Sequence, residues 1–503
     1  MKKYVFMMTG NDVWLNAAIN LYENKIAEPI LWLGDDHHFI KAKNIFGEAV
    51  LSMDDFVHYQ QNIQQINYAG EGYEFFSSDN YLIAKDRCLK MMDRLDLYAT
   101  FSRQDREVIF NKLAIFLLKR IQEQRPDALV MAEMAHSHAQ YLVLEICKFL
   151  DIEIVKFNTW MLAPLLYMQN IKTGERLDVD ISMDSKLSAI VENDIRDYVK
   201  NVLATKCEKV FELEYMKKQR QRLSLSFAFT NFFMFGWLEL LKEAWFQFRK
   251  TFNNNYYNIN PYGHGIFIRS KIKRLRRKNL LKEHDKNVDI LNLNKKYVYF
   301  GMHFEPERTT NPDGGEFHDQ ILAIIALRKI LPNDINIIVK EHPSQFYMYD
   351  RGSRGRSPLF YDLVKNISGI QLASYKEDSF GLIQGSQFTS TISGTLALET
   401  AVLGKKSLIF GDSWFEGCPN VISWNKGITF DYISEQKTYS DEDILDFLLN
   451  QKQLKTVIGC QNNSCQTTYK KKYLSNYQFS KEELSGVIHL LEKFFSNLNQ
   501  VRD

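Results

Sequence analysis

An α/β fold built as two parallel-sheet blocks is predicted by three observations. Apolar runs of strand length alternate with helical patterns near both ends of the chain. Several of those runs end in loops dense with His, Glu, Ser and Thr, as expected where the strands of such sheets present ligands. Between the blocks the pattern changes to a basic and aromatic stretch. The 503 residues exceed what one core organises, and 45% apolar with 25% charged residues is the make-up of a globular protein. A formal charge of +2 argues against a nucleic-acid-coating protein, although basic residues gather between Lys217 and Lys278.

In the first block, Tyr4 to Met8, Pro29 to Leu33, Ala128 to Met131 and Glu153 to Val155 read as buried strands, with helices at Asn11 to Glu23 and Ala139 to Leu150. The opening MKKYVFMMTG lacks the long apolar region and small-residue cleavage site of a signal peptide and reads as the first strand. No charge-free apolar run approaches the roughly 18 residues of a spanning helix. Six scattered cysteines (Cys88, Cys147, Cys207, Cys418, Cys460, Cys465) form no zinc pattern, so a reducing, cytoplasmic setting is expected.

In the middle, Tyr167 to Asp180 resembles a hairpin turning at Lys172 to Glu175, and Ser188 to Phe211 a helix. The aromatic run Phe227 to Phe248 lies between the basic clusters 217–222 and 271–278. It suits either a helix lying in a bilayer interface or a helix pair that caps the core or makes a dimer contact. Asp178-Val-Asp180 has the form of a metal-binding pair, but on a hairpin it reads as surface.

The second block has strands at Tyr297 to Gly301, Ile335 to Val339, Gly369 to Leu372 and Ser407 to Phe410, and helices at Phe317 to Ile330, Tyr361 to Asn366 and Gly394 to Leu403. An amphipathic segment, Lys481 to Leu498, closes the chain.

Four constellations carry candidate chemistry. The loop after Gly301 holds His303, Glu305, Glu307, Arg308, Thr309 and Thr310; a solvated acidic turn would look the same. Lys340-Glu341-His342-Pro343 follows the next strand, with proline setting the turn and histidine able to donate to a phosphate or base. Thr389 to Thr395, leading to Glu399 and Gly404-Lys405, reads as a small-residue turn opening a helix. There Thr391, Ser393, Gly394 and Thr395 can meet phosphate oxygens and Glu399 ribose hydroxyls, an ordinary helix cap being the alternative. The turn lacks the spacing of a Walker loop, which disfavours ATPase chemistry. Glu133, His136 and His138 follow Met131, where a general base or nucleophile competes with simple helix capping by Ser137.

As a set, Tyr299-Phe-Gly-Met-His-Phe-Glu-Pro-Glu-Arg-Thr-Thr, Val339-Lys-Glu-His-Pro, Ser393-Gly-Thr-Leu-Ala-Leu-Glu with Gly404-Lys405, and Phe410-Gly-Asp-Ser-Trp-Phe-Glu-Gly-Cys-Pro419 resemble the capsule and lipopolysaccharide glycosyltransferases, including the retaining Kdo transferases of capsule assembly. The resemblance covers about a quarter of the chain, Tyr297 to Asn420, and reaches the first block only through Glu133, His136 and the helix after them. It implies a GT-B fold of two Rossmann-like domains facing a cleft. The expected layout is an acceptor domain at 1–161, a mainly helical insertion at 162–293, a nucleotide-sugar domain at 294–475 and a C-terminal helix at 476–503 packing back across the domains.

The resemblance further implies a metal-independent transferase with no resident cofactor, using a CMP-linked ulosonic acid (Kdo or a nonulosonate) and a glycan or lipid-linked acceptor, at the inner face of the membrane. Lys340, His342, Pro343, Thr391, Ser393, Gly394, Thr395 and Glu399 would hold the donor. Glu133, His136, His303 and Arg308 would be catalytic, with Glu133 the acidic nucleophile. A UDP- or GDP-sugar donor, a CDP-glycerol donor, and a non-catalytic scaffold are the alternatives.

Overall fold

Strands whose consecutive residues are all apolar have no wet face, and here they become the interior of two sheets. The computed structural model describes residues 1–8, 11–34, 36–52, 72–95, 102–178, 185–204, 279–347, 354–453, 456–462 and 476–500, with isolated positions at 238, 241, 244, 245, 248, 352 and 466. The chain divides into two compact units. One comprises Met1–Met92, Phe101–Tyr198 and Leu448–Asp503, the other Asp93–Thr100 and Val199–Phe447.

In the first unit β1 (Lys2–Met7), β2 (Ala27–Gly34), β3 (Val50–Ser52), β4 (Ala128–Met131) and β5 (Glu153–Trp160) are parallel, and β6 (Leu165–Asn170) runs antiparallel to β5. Pro29 has no N–H to give to the ladder. The β1–β2 register shifts there, Tyr4 facing Pro29 and Val5 facing Leu31. The expected hairpin turn is present: Asn170 N–H donates to Glu175 O, Gly174 takes φ 74°, and Gln169 bridges to Arg176. Asn11 caps the helix Asp12–Glu23 by accepting from Val13 N–H, and Ser137 with Gln140 forms a capping box on His138–Phe149.

The second unit holds β7 (Tyr297–Gly301), β8 (Asn336–Lys340), β9 (Ile370–Ala373), β10 (Thr389–Thr391), β11 (Ser407–Ile409) and β12 (Val421–Ser423), all parallel in the order β12-β11-β10-β7-β8-β9. The chain runs outward from β7 to β9 and then returns to β10 on the other side of β7. The strand order therefore reverses between β7 and β10. The expected helix Phe317 to Ile330 begins at Gln320, because Asp319 accepts from Ile321 N–H as its cap; Gly315–Phe317 is a separate 3-10 turn. Both blocks are thus Rossmann-like α/β units, the class the sequence predicts.

β13 (Val457–Ile458) returns to pair antiparallel with β6, giving the first sheet the order β13-β6-β5-β4-β1-β2-β3. The helix Asn476–Gln500 follows and packs Val487, Leu490, Leu491, Phe494 and Phe495 into the core around Tyr4, Phe6 and Trp14. Each such fully buried side chain contributes about 1.5–3 kcal/mol.

Among the described residues no helix is long and apolar enough to cross a membrane. The basic clusters, the helix beyond Ala204, Asp180, Cys207, Cys465 and most of the aromatic run lie outside the described residues. Cys88, Cys147, Cys418 and Cys460 are buried.

Candidate functional site

At the end of β7, Gly301 lets Leu396 approach: a Cβ there would lie 2.4 Å from Leu396 Cδ2, which would have to move. The hydroxyls of β10 are spent inside the sheet. Thr389 Oγ1 bonds Thr400 and Ser407, Ser390 Oγ donates to Leu408 O, and Thr391 Oγ1 donates to Gly301 O at 2.9 Å. Just beyond, Ser393 N–H donates to His303 Nε2 at 3.1 Å and Ser393 Oγ to Thr309 O at 3.1 Å. His303 Nδ1 lies 3.2 Å from Thr309 Oγ1, which donates to Glu307 Oε2 at 2.9 Å. Burial first, and then the nearby His342 and Arg356, push the His303 pKa down to about 3. Gly394 closes over this ring; a Cβ would stand 3.3 Å from His303 Nε2.

The loop after β8 is built differently. Glu341 is fully buried and paired with Arg356, Oε1 to Nε at 2.8 Å, and accepts Tyr361 OH at 3.2 Å. Arg356 also lies over the Phe360 ring at 4.2 Å. Gln345 ties this loop to its neighbour, its Oε1 accepting Glu305 N–H and its Nε2 donating to Glu305 O. Held between these anchors, partly exposed His342 accepts Ser344 N–H on Nδ1 at 3.1 Å. Its proton therefore sits on Nε2, and no side chain or carbonyl among the described residues takes it up. Burial, then the Lys340 charge, lowers the His342 pKa to about 4. Lys340 is itself buried and donates to Ser379 Oγ; burial lowers its pKa to about 8 against the opposing pull of Asp378 and Glu377.

Thr395 Oγ1 donates to Glu399 Oε1 at 3.0 Å, and burial raises the Glu399 pKa despite that bond. Arg308 Nε pairs with Asp313 Oδ2 at 3.3 Å. The second unit thus brings His303, Thr391, Ser393 and Gly394 to one junction and Lys340 and His342 to the adjoining strand end. Among the described residues no group of three or more His, Cys, Asp or Glu side chains forms a metal site.

In the first unit Glu133 follows β4, and its side chain is only 12% exposed. Its Oε1 lies 3.0 Å from His136 Nε2, and its Oε2 accepts from Asn462 Nδ2 at 3.4 Å. Ser137 is the helix cap, and His138 is buried under the helix it begins.

Sequence reasoning missed Ser379, Arg356, Gln345 and Asn462. Arg356 lies fifteen residues beyond Glu341 and Asn462 over three hundred beyond Glu133, so no local spacing pointed to them.

No protein-family model matches the chain, and no curated protein does. Among solved structures it is similar to the KpsC beta Kdo 2,7 transferase of Thermosulfurimonas dismutans, at 9% identity over 90% of this chain and all of that one, TM-score 0.27. The KpsC beta Kdo 2,4 transferase of the same organism shows 10% identity over 64% of this chain and 78% of that one, TM-score 0.25. A UDP-GlcNAc 2-epimerase from Methanocaldococcus jannaschii shows 12% identity over 94% and 100%, TM-score 0.21. The functional reading rests on the side chains above.

Proposed function

We propose that the chain is a glycosyltransferase of surface polysaccharide synthesis that uses a CMP-activated ulosonic acid and a glycan or lipid-linked acceptor. The observation that carries this reading is the His342 Nε2–H, a donor that no described residue takes, two residues past the end of a buried parallel strand and close to the buried Lys340. A neutral N–H beside a cation suits the single phosphate of a CMP-sugar, whose departure leaves charge on that phosphate. Thr395 is assigned to the nucleotide's phosphate, with Arg308 assisting there, and Glu399 to its ribose. Glu133 supports transfer with retention. Its carboxylate attacks the anomeric carbon as the bond to phosphate breaks and CMP leaves with the electron pair. The acceptor hydroxyl then displaces Glu133 and passes its proton to the neighbouring His136.

Thermal unfolding with CMP, CMP-sugars, UDP, GDP and their sugars tests the donor. CMP and CMP-sugars should raise the transition temperature most; stabilisation by a UDP-sugar without any by CMP sinks this choice.

Seating at an anionic membrane surface is supported by Leu238, Leu241, Trp245 and Phe248, spaced three, four and three apart and 40%, 61%, 63% and 56% exposed. The basic clusters 217–222 and 271–278 flank them in sequence. Low-salt sedimentation with phosphatidylglycerol vesicles should pellet the protein and high salt release it. A protein that stays in solution at low salt rejects the seating.

A further inference from the structure

We propose that His303 is a positioning residue that locks the loop after β7 to the turn after β10, acting as the neutral Nδ1–H tautomer with Thr309 and Glu307 as its supports. What the lock serves rests on the donor-site reading above; the lock itself does not.

The hydrogen-bond chain admits one direction only. Ser393 contributes a backbone N–H, which can only donate, so His303 Nε2 must offer a lone pair across their 3.1 Å. At the other end the exposed Glu307 carboxylate accepts, and the Thr309 hydroxyl spends its single hydrogen on it at 2.9 Å. Thr309 Oγ1 can then only accept from His303, so the proton lies on Nδ1 across their 3.2 Å. An Nε2–H tautomer would set N–H against N–H at Ser393 and lone pair against lone pair at Thr309. An imidazolium would repeat the first clash.

The location gives the lock its meaning. Between β7 and β10 the strand order reverses and successive loops diverge, which is where parallel sheets open a ligand crevice. His303 spans that point, and two further ties run beside it: Ser393 Oγ to Thr309 O, and Thr391 Oγ1 to Gly301 O. The loop carrying Arg308 and the turn carrying Gly394 and Thr395 therefore behave as one piece. With both ring nitrogens engaged, His303 has no proton to exchange with a substrate. Its effect on a bound nucleotide passes through the backbone it fixes.

Long-range 15N–1H correlation of the imidazole nitrogens at pH 7, assigned by the signal set lost in H303Q, reads the tautomer. Nδ1 should be protonated and Nε2 bare; an Nε2–H tautomer or an imidazolium overturns the proposal. Calorimetric titration with CMP supplies the second arm. T309V should bind about 10-fold more weakly, the loss of one neutral hydrogen bond, while T309S, which keeps the hydroxyl, should stay within about twofold of the parent. Parental affinity in T309V overturns the positioning role. A parent protein that does not bind CMP refutes the donor reading instead, and the tautomer measurement then decides the lock alone.

Discussion

The loops after β7 and β8 leave neighbouring strands of one sheet, and each carries a histidine two residues past the strand end. Both imidazoles are held neutral by burial. There the likeness stops. His303 reaches across to the turn of another strand and uses both nitrogens. His342 satisfies one nitrogen within its own turn, on Ser344 N–H, and no described residue takes the proton on the other. The difference shows that a histidine at a strand end is not by itself a catalytic signal; what decides is whether its contacts are local or span the sheet. Pro343 lies between the two, and the Ser344 N–H meets the ring two residues before it.

The largest effect should come from the anchor beneath the second loop. Removing Arg356 leaves the Glu341 carboxylate buried and unpaired, so R356A should lower the unfolding free energy in urea by about 3–5 kcal/mol. A loss below about 1 kcal/mol would mean that the loop after β8 is held by other means. Next comes the comparison itself. H342A should weaken CMP binding by roughly 10- to 100-fold, the range of a hydrogen bond to a charged group, with little change in unfolding free energy. Equal affinity in H342A and the parent would remove the distinction between the two histidines.

Per pH unit, the smallest effect is a slope in stability. Because both pKa values are depressed in the folded state, the unfolded chain binds more protons from about pH 6.5 down to about 4 for His342 and about 3 for His303. Stability is therefore complete above pH 6.5 and falls on acidification, by up to about 1.4 kcal/mol per pH unit for each histidine. Urea titrations at stepped pH should show H303Q and H342Q each removing one share, and a slope unchanged in both variants would contradict the assignment.

The long apolar runs were legible because burial on both faces leaves little choice of residue: Val5-Phe6-Met7, Leu129-Val130-Met131 and Ile337-Ile338-Val339 read as strands and are strands. β3, β12 and β13 were not legible. With two or three residues each they are too short to show a period, and Val421-Ile-Ser423 is not even fully buried. The helix Arg103–Gln124 was missed although Ser102 and Asp105 spell a capping box before it.

For the site, the polar loops after β4, β7, β8 and β10 were readable as density. Their internal wiring was not, since Thr391, Ser393 and Glu341 look like ligand-facing groups until the distant carbonyl or guanidinium that engages them is seen. A hydroxyl in a small-residue turn has a donor to spend. Only the fold says where.

The return of β13 and the helix Asn476–Gln500 to the first sheet bears on how the protein is made. The first unit's edge strand and the residues that cover Tyr4 and Trp14 are encoded after the whole of Val199–Phe447. At about 5–20 residues per second, the intervening stretch of roughly 250 residues occupies a ribosome for about 12–50 s. Throughout that interval the nascent first sheet carries an uncovered apolar face and an unpaired edge on β6, while the second unit can complete itself as it emerges. The order of maturation is thus the reverse of the order of synthesis, and a factor that shields nascent apolar surface would find its longest-lived target at the beginning of the chain.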